Sequence, residues 1–517
     1  MTEPLDDSLR TITRGTGIAL VGMTLGLLFS FITRLIIARY SLQDGYGIFS
    51  LALVVLNLAT TISGLGLLRG ATRYIAYFRG THEEAKIRGT MFVSLWFSVT
   101  ASIIIALVVF LASNTIAITI FHNPELAPAL KLFAIAIPFL TLINTLVAFF
   151  RGFDRVEPGI YFRSIALNAI VLVLLVAIVV AGLPFVSLFY AYLGAVIVTF
   201  IATTIYTARR LPQRIGLTKP KGAPPITKEL LSFSLPLLGS AIMSTIMMRI
   251  DTLMLGYFKT MAIVGLYNAA FPIARFISEP LDALRLIYTP VATGLYSRNR
   301  MPTLRRNYTI LTKWLVTITL PIFLVLVLYP EAVLYISFGH GYLPAASALR
   351  ILSIGYIINN FLGPNGATLL AMGHPKLIMW ATLATVIMNV VLNIALIPPL
   401  GIVGAAIASV VSITAVNIIR SWKVYSLSRV HPLSKNLFKP VIISVVLAFL
   451  IQILVQSLIT VTAWMLPILF ILYCGIYGLA VLFTRSFDKE DMAMLLEIEK
   501  RSGINVTPLK KLLGRFL

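Results

Sequence analysis

Acidic residues and cysteine are scarce in this 517-residue chain. Asp and Glu number 19 against 42 Lys and Arg, charged residues make up only 12%, and Cys474 is the one cysteine. One cysteine excludes an intrachain disulfide. So little charge excludes an ordinary soluble surface, since soluble domains carry about a quarter charged residues. Histidines are few too: His82, His122, His340, His374 and His431 are scattered and form no metal-spaced cluster. No glycine loop of the nucleotide-hydrolase type is present, which argues against direct use of ATP. Asp6-Asp7 precedes the first apolar segment without partners. A membrane enzyme such as a polyprenyl-dependent glycosyltransferase needs a catalytic carboxylate or metal motif on a loop, and none is visible. The expectation is no enzyme, no catalytic residue, no metal and no cofactor.

What is abundant is hydrophobic sequence, 58% of the chain. It falls in continuous runs of about 20 residues, long enough to span a bilayer as helices and unlike the short alternating segments of a barrel. The pattern predicts an all-α polytopic membrane protein of about fourteen transmembrane helices, near 17–38, 46–68, 89–112, 128–150, 160–181, 184–207, 230–255, 261–292, 314–329, 345–372, 377–397, 402–419, 441–457 and 463–484. Turn residues such as Asp44-Gly45, Asn123-Pro124, His374-Pro375 and Pro398-Pro399 mark connections. The polar start Met1–Thr16 leads into a segment too long for a signal-peptide core.

The net charge of +23 reports topology rather than nucleic-acid binding. Basic residues crowd the two ends and the even-numbered connections, while the odd connections hold only Arg39 and Lys259. Lys and Arg stay on the cytoplasmic side of short loops, so a cell-membrane protein with both termini cytoplasmic is expected, attracted to anionic lipid heads. At the end of the chain Thr507 and Pro508 start a helix with Leu509, Leu512, Leu513 and Phe516 on one face, suited to lie on the membrane; a frayed basic tail fits equally.

The chain also repeats itself. Gly47-Ile48-Phe49-Ser50-Leu51-Ala52 corresponds to Gly265-Leu266-Tyr267-Asn268-Ala269-Ala270, Gly152 to Gly373, Arg155 to Lys376 and Asn168 to Asn389, in order and at a nearly constant offset. Six helices between copies give a parallel repeat, a plan that builds transporters with a site between halves. The reading is an N-terminal lobe over 1–212, a Pro-rich cytoplasmic linker over 213–228, a C-terminal lobe over 229–430, helices 13 and 14 over 431–485 and an amphipathic tail over 486–517.

Charges within spans are costly and usually face a cavity. The basic ones are Arg34, Lys131, Arg249, Arg275, Arg285 and Arg350. Arg34 and Arg249 take nearly matching places in the first helix of each half, with Asp251 close by. In helix 8, Arg275, Glu279, Asp282 and Arg285 fall within about a third of the helix circumference, beside Pro280. This face is either a cavity wall whose arginines hold phosphate by paired hydrogen bonds or a self-neutralising network between packed helices. Lys131 and Arg350 suit snorkelling anchors near the outer surface.

The residues resemble the polysaccharide transporter family of the multidrug/oligosaccharidyl-lipid/polysaccharide exporter superfamily, its oligosaccharide flippases included. The segments that carry this are Ile37-Ala38-Arg39 with Tyr46 through Ala52, Gly64-Leu65-Gly66 with Arg73-Tyr74-Ile75-Ala76, Phe150 through Arg155, Arg249-Ile250-Asp251, Phe338-Gly339 with Tyr342, and Gly373-His374-Pro375 through Asn389, Asn393 and Pro398 to Gly401 through Ala406. They cover essentially residues 17–430. The resemblance implies two pseudo-symmetric six-helix lobes in a V plus two further helices, working by alternating access. It implies a polyprenyl-(pyro)phosphate-linked oligosaccharide as substrate, its sugar–phosphate head in the cavity and its tail left in lipid. Ile37-Ala38-Arg39 resembles the first-helix stretch of the family's lipid II flippases, which makes Arg39 a candidate cavity residue. The candidate substrate-binding set is thus Arg34, Arg39, Arg249, Arg275 and Arg285, with Asp251, Glu279 and Asp282 to orient them or carry a coupling Na+ or H+. Partners expected are the lipid-linked oligosaccharide, membrane lipids and glycan-assembly enzymes, with no nucleic acid, for a monomeric chain. The alternative is a cation-coupled multidrug antiporter of the same superfamily, whose site would favour acids; the spans here favour bases.

Overall fold

A computed structural model describes residues 3–211, 226–432, 435–458 and 465–484. The linker and tail helix expected from sequence lie largely outside the described residues. Among the described residues the secondary structure is helical throughout, with short π and 3-10 turns and no strand. Among the described residues eleven helices are long and apolar enough to cross a membrane, or twelve if one bent pair counts as a single span. The chain is a multi-pass membrane protein.

The count falls short of the expected fourteen at the bent pair and in two further regions. Thr24–Gly80 is one run of 57 residues where two helices and a basic loop were expected. The segment α1 (Glu3–Ser63) is two helices joined across a kink at Leu42, φ 56° and ψ −169°, two residues before the expected connection at Asp44-Gly45. The expected loop beyond is a second helix, α2 (Leu67–Gly80), which buries Leu67, Ala71, Tyr74, Ile75 and Phe78 and leaves Arg69 and Arg73 outside that face. Near the end of the chain, Pro467–Phe483 is apolar but shorter than a full span.

By proximity the chain divides into two compact units, Gly15–Gly265 and Leu266–Leu517 with Met1–Arg14. In the first unit α3 (Glu84–Thr115) packs along α4 (Leu126–Gly152), and α4 packs on α2 and on α6 (Ser187–Arg210). A ladder of small hydroxyls lets these helices approach. Ser63 Oγ meets Thr141 Oγ1 at 2.7 Å and Ser98 Oγ meets Thr145 Oγ1 at 2.9 Å, all buried. Small polar residues play this part where lipid supplies no hydrophobic drive between helices. The outer face of α3 exposes Ile103, Ile104, Leu107, Val108 and Leu111, each by more than half, an apolar band for lipid to cover. Helix α7 (Thr227–Phe258) belongs to this unit, packing on α2 so closely that a Cβ at Gly66 would stand 2.1 Å from the Ser234 carbonyl oxygen.

In the second unit α14 (Pro375–Leu400) and α15 (Ile402–Ser428) form a tight hairpin through Gly401, φ 57°, and both α15 and α10 (Met301–Leu328) pack on α12 (Ala346–Phe361). Expected helix 10 is interrupted after α12 at Gly363-Pro364, with α13 (Asn365–Ala371) following. Gly363 has φ 67°, and Pro364 disfavours helical backbone in the residue before it.

Candidate functional site

Helix 8 was expected to run unbroken over 261–292. It is two helices, α8 (Met261–Arg275) and α9 (Glu279–Ser297), bent by 52°. Pro280 explains the break. It sits in the first turn of α9, where its missing N–H costs nothing, whereas in a continuous helix its ring would strike the Phe276 carbonyl. The Ile277 carbonyl freed by the break accepts a 2.7 Å hydrogen bond from Asn360 Nδ2, which also donates to Thr319 Oγ1 at 3.1 Å. Asn360 is fully buried. Its replacement by alanine leaves a buried carbonyl unpaired, at a cost of roughly 1–3 kcal/mol. The expected outcome is a lower melting temperature of purified Asn360→Ala protein; an unchanged melting temperature would show that the break needs no such tie.

The break gathers all four charges of this stretch. Arg275 Nε donates to Glu279 Oε1 at 3.3 Å, Arg275 Nη2 lies 3.8 Å from Asp282 Oδ2, and Arg285 Nη1 donates to Asp282 Oδ1 at 2.8 Å. All four side chains are about one-third exposed, so water reaches them. Two acids balance two bases, and Arg285 Nε is buried without a partner. Behind them stands Arg420 on α15, close enough to Arg285 for their charges to interact. Arg420 Nη2 donates to Thr382 Oγ1 at 2.8 Å, and its Nε is likewise buried and unpartnered. The sequence reading ended helix 12 before Arg420 and left it in a loop; α15 in fact continues to Ser428, no turn-forming residue intervening. This cluster therefore carries a net positive charge and free N–H donors.

The remaining candidates lie in the first unit. Arg34 is half-buried on α1, within Coulombic reach of Tyr192 on α6. Arg39 is exposed just before the bend at Leu42, between the buried Ala38 and half-buried Tyr40. On α7 Arg249 is half-buried and Asp251 buried. Arg350, expected as a snorkelling anchor, makes contacts within its own unit: its Nε donates to the Val327 carbonyl at 3.1 Å and its Nη2 pairs with Glu331 at 2.9 Å. Arg151, one residue beyond the expected span 128–150, lies in the last turn of α4, and Arg163, inside the expected span 160–181, lies in a π-helical turn, Gly159–Ala166, that leads into α5 (Leu167–Val180). A buried amide pair was unforeseen as well: Asn393 Nδ2 donates to Asn389 Oδ1 at 3.0 Å inside α14. Among the described residues no three His, Cys, Asp or Glu side chains could hold a metal ion together.

The fold is that of a multi-pass helical membrane protein with arginines gathered on its helices. The model for the polysaccharide biosynthesis protein family matches residues 12–282, and that for the MatE family residues 236–395. The chain belongs to the polysaccharide biosynthesis protein family. It is 21% identical to an uncharacterised membrane protein of Methanocaldococcus jannaschii over 90% of this chain and 94% of that one. It is 26% identical to a probable low-salt glycan biosynthesis flippase of Haloferax volcanii, over 31% of this chain and 34% of the relative. Among solved structures it resembles a lipid II flippase in an inward closed conformation, with TM-score 0.70 and 15% identity, covering 91% of this chain and 98% of that one.

Proposed function

We propose that this protein moves a polyprenyl-(pyro)phosphate-linked oligosaccharide from the cytoplasmic to the outer leaflet of the cell membrane by alternating access. The observation that supports this function is the net positive charge of the cluster Arg275, Glu279, Asp282, Arg285 and Arg420 within a chain of the polysaccharide biosynthesis protein family. A guanidinium presents two parallel N–H donors to a phosphate, which a cationic drug cannot use. Arg34, Arg39 and Arg249 hold the phosphate in the outer half and Arg275 and Arg285 nearer its entrance, while Asp251, Glu279 and Asp282 keep the arginines oriented or carry a coupling Na+ or H+. Membrane potential can also drive the step, at about 2.3 kcal/mol per charge per 100 mV. The protein works as a monomer beside glycan-assembly enzymes. The MatE match supports the antiporter as a second reading, but such a site wants unpaired carboxylates, and Glu279 and Asp282 are already held by arginine. Depletion of the protein tests the proposal: lipid-linked glycan is expected to accumulate on the inner leaflet, and a normal leaflet distribution would refute it.

The proposal includes an orientation, both ends cytoplasmic, from the distribution of basic residues. In a Cys474→Ser background, Glu125→Cys stands in an exposed loop before α4. It is expected to react with a membrane-impermeant maleimide from outside intact cells. Reaction only after the membrane is opened would invert the topology.

A further inference from the structure

Within the unit Gly15–Gly265, Arg163 donates a hydrogen bond to Asn144 Oδ1 on α4. Arg151 lies close enough to interact with it electrostatically, as does Tyr192. Tyr192 in turn feels Arg34 and packs on Phe133 at 5.0 Å between ring centroids. Arg151 and Arg163 are both exposed, yet neither forms an ion pair among the described residues. Asp154 is taken by Arg79.

Two features argue against bystanders snorkelling to the membrane surface. The first is direction. Asn144 lies eight residues before the end of α4 at Gly152, about 12 Å further into the span at 1.5 Å per residue. Arg163 therefore reaches inward, where a snorkelling arginine reaches out. The second is backbone. The turn that carries Arg163 is π-helical over Gly159–Ala166, a rare geometry that often marks functional sites because it re-aims a side chain. Gly159 opens this turn and gives the Arg151 guanidinium room: a Cβ there would stand 3.4 Å from Nη2 and 2.9 Å from Val147 Cγ1. Like charges held together without a counter-ion are unfavourable, and a bound anion is the ligand that would relieve them.

We propose that Arg151, Arg163 and Asn144 form a further oxyanion site within the unit Gly15–Gly265, and that it takes the phosphate or pyrophosphate of the lipid-linked cargo. The choice of anion rests on the flippase reading; the existence of the site does not. Asn144 gives the site a switch, because Asn144→Asp would place a permanent carboxylate against Arg163 and compete with any external anion.

The experiment is titration of the purified protein in nanodiscs with inorganic pyrophosphate, inorganic phosphate and methyl glucuronide, read by calorimetry. Wild type is expected to bind pyrophosphate, and Arg163→Ala and Asn144→Asp to weaken it at least tenfold. Asn144→Asp should also raise the melting temperature, which shows that it folds. Tighter binding of methyl glucuronide than of pyrophosphate would overturn the phosphate assignment and point to an acidic sugar. Pyrophosphate affinity unchanged in folded Asn144→Asp and in Arg163→Gln would overturn the site. Loss of binding in these variants, with lipid-linked glycan distribution unaffected by depletion of the protein, would keep the site and reject the flippase reading.

Discussion

Arg275→Ala is expected to lower flipping of the lipid-linked substrate at least tenfold at matched protein level, with Arg275→Lys restoring only part. A charge-assisted hydrogen bond contributes about 1.5–3 kcal/mol, and each 1.4 kcal/mol is a factor of ten. Lysine keeps the charge and loses the two-pronged donor geometry. Alanine alone is ambiguous, because Arg275 also neutralises Glu279 and Asp282 across the helix break. The double variant Arg275→Ala/Glu279→Gln removes the ambiguity by restoring the charge balance. If Arg275 holds phosphate, the double variant stays inactive. If it only stabilises the break, the double variant recovers flipping together with thermal stability. Arg34→Ala and Arg249→Ala belong in the same series; full activity in all three alanine variants would make these charges structural.

Gly47→Ala is expected to abolish the folded protein. The helix that carries Gly47 crosses the start of α8 with the two backbones in contact. A Cβ on Gly47 would stand 1.9 Å from the Met261 carbonyl oxygen, and one on Gly265 would stand 2.1 Å from the Gln43 carbonyl oxygen. Backbone on both sides leaves no flexible side chain to yield, so the helices must separate and the packing around them is lost. Gly239→Ala is the control: it lies within helix α7 with nothing within 4 Å of its Cβ position, and it should stabilise by up to about 1 kcal/mol. Fluorescence-detected size exclusion distinguishes them. A sharp monodisperse peak for Gly47→Ala would contradict the close approach.

Much of this architecture was legible in the sequence, because lipid imposes a simple rule: backbone groups must be paired within each span, so long apolar runs read as helices. Gly47 and Gly265 appeared as matching positions of a repeat, and they prove to be the two glycines that touch. The grouping of Arg275, Glu279, Asp282 and Arg285 followed from helical spacing and survived a break at Pro280 that the same spacing argument ignored. Other features were hidden. Asp44-Gly45 looks like a turn, and the break between the first two helices falls two residues earlier, at Leu42. Arg151 and Arg420 fell just outside the expected spans 128–150 and 402–419 because charge was itself used to end them, and Arg163 lay inside 160–181 without being counted among the span charges. Only the helical backbone around each, and the inward hydrogen bonds from Arg163 to Asn144 and from Arg420 to Thr382, set them apart from the cytoplasmic basic residues. Asn360 gave no signal, since its partner is a carbonyl freed by a distant proline.

The central claim is transport of an anionic lipid-linked glycan, and reconstitution tests it most directly. Purified protein is placed in liposomes carrying a fluorescent polyprenyl-pyrophosphate oligosaccharide, and a membrane-impermeant quencher reports movement between leaflets. Movement is expected to need the protein, to fall at least tenfold with Arg275→Ala/Glu279→Gln, and not to be displaced by an organic cation. Protein-dependent export of the organic cation, with the glycolipid left where it began, would contradict it.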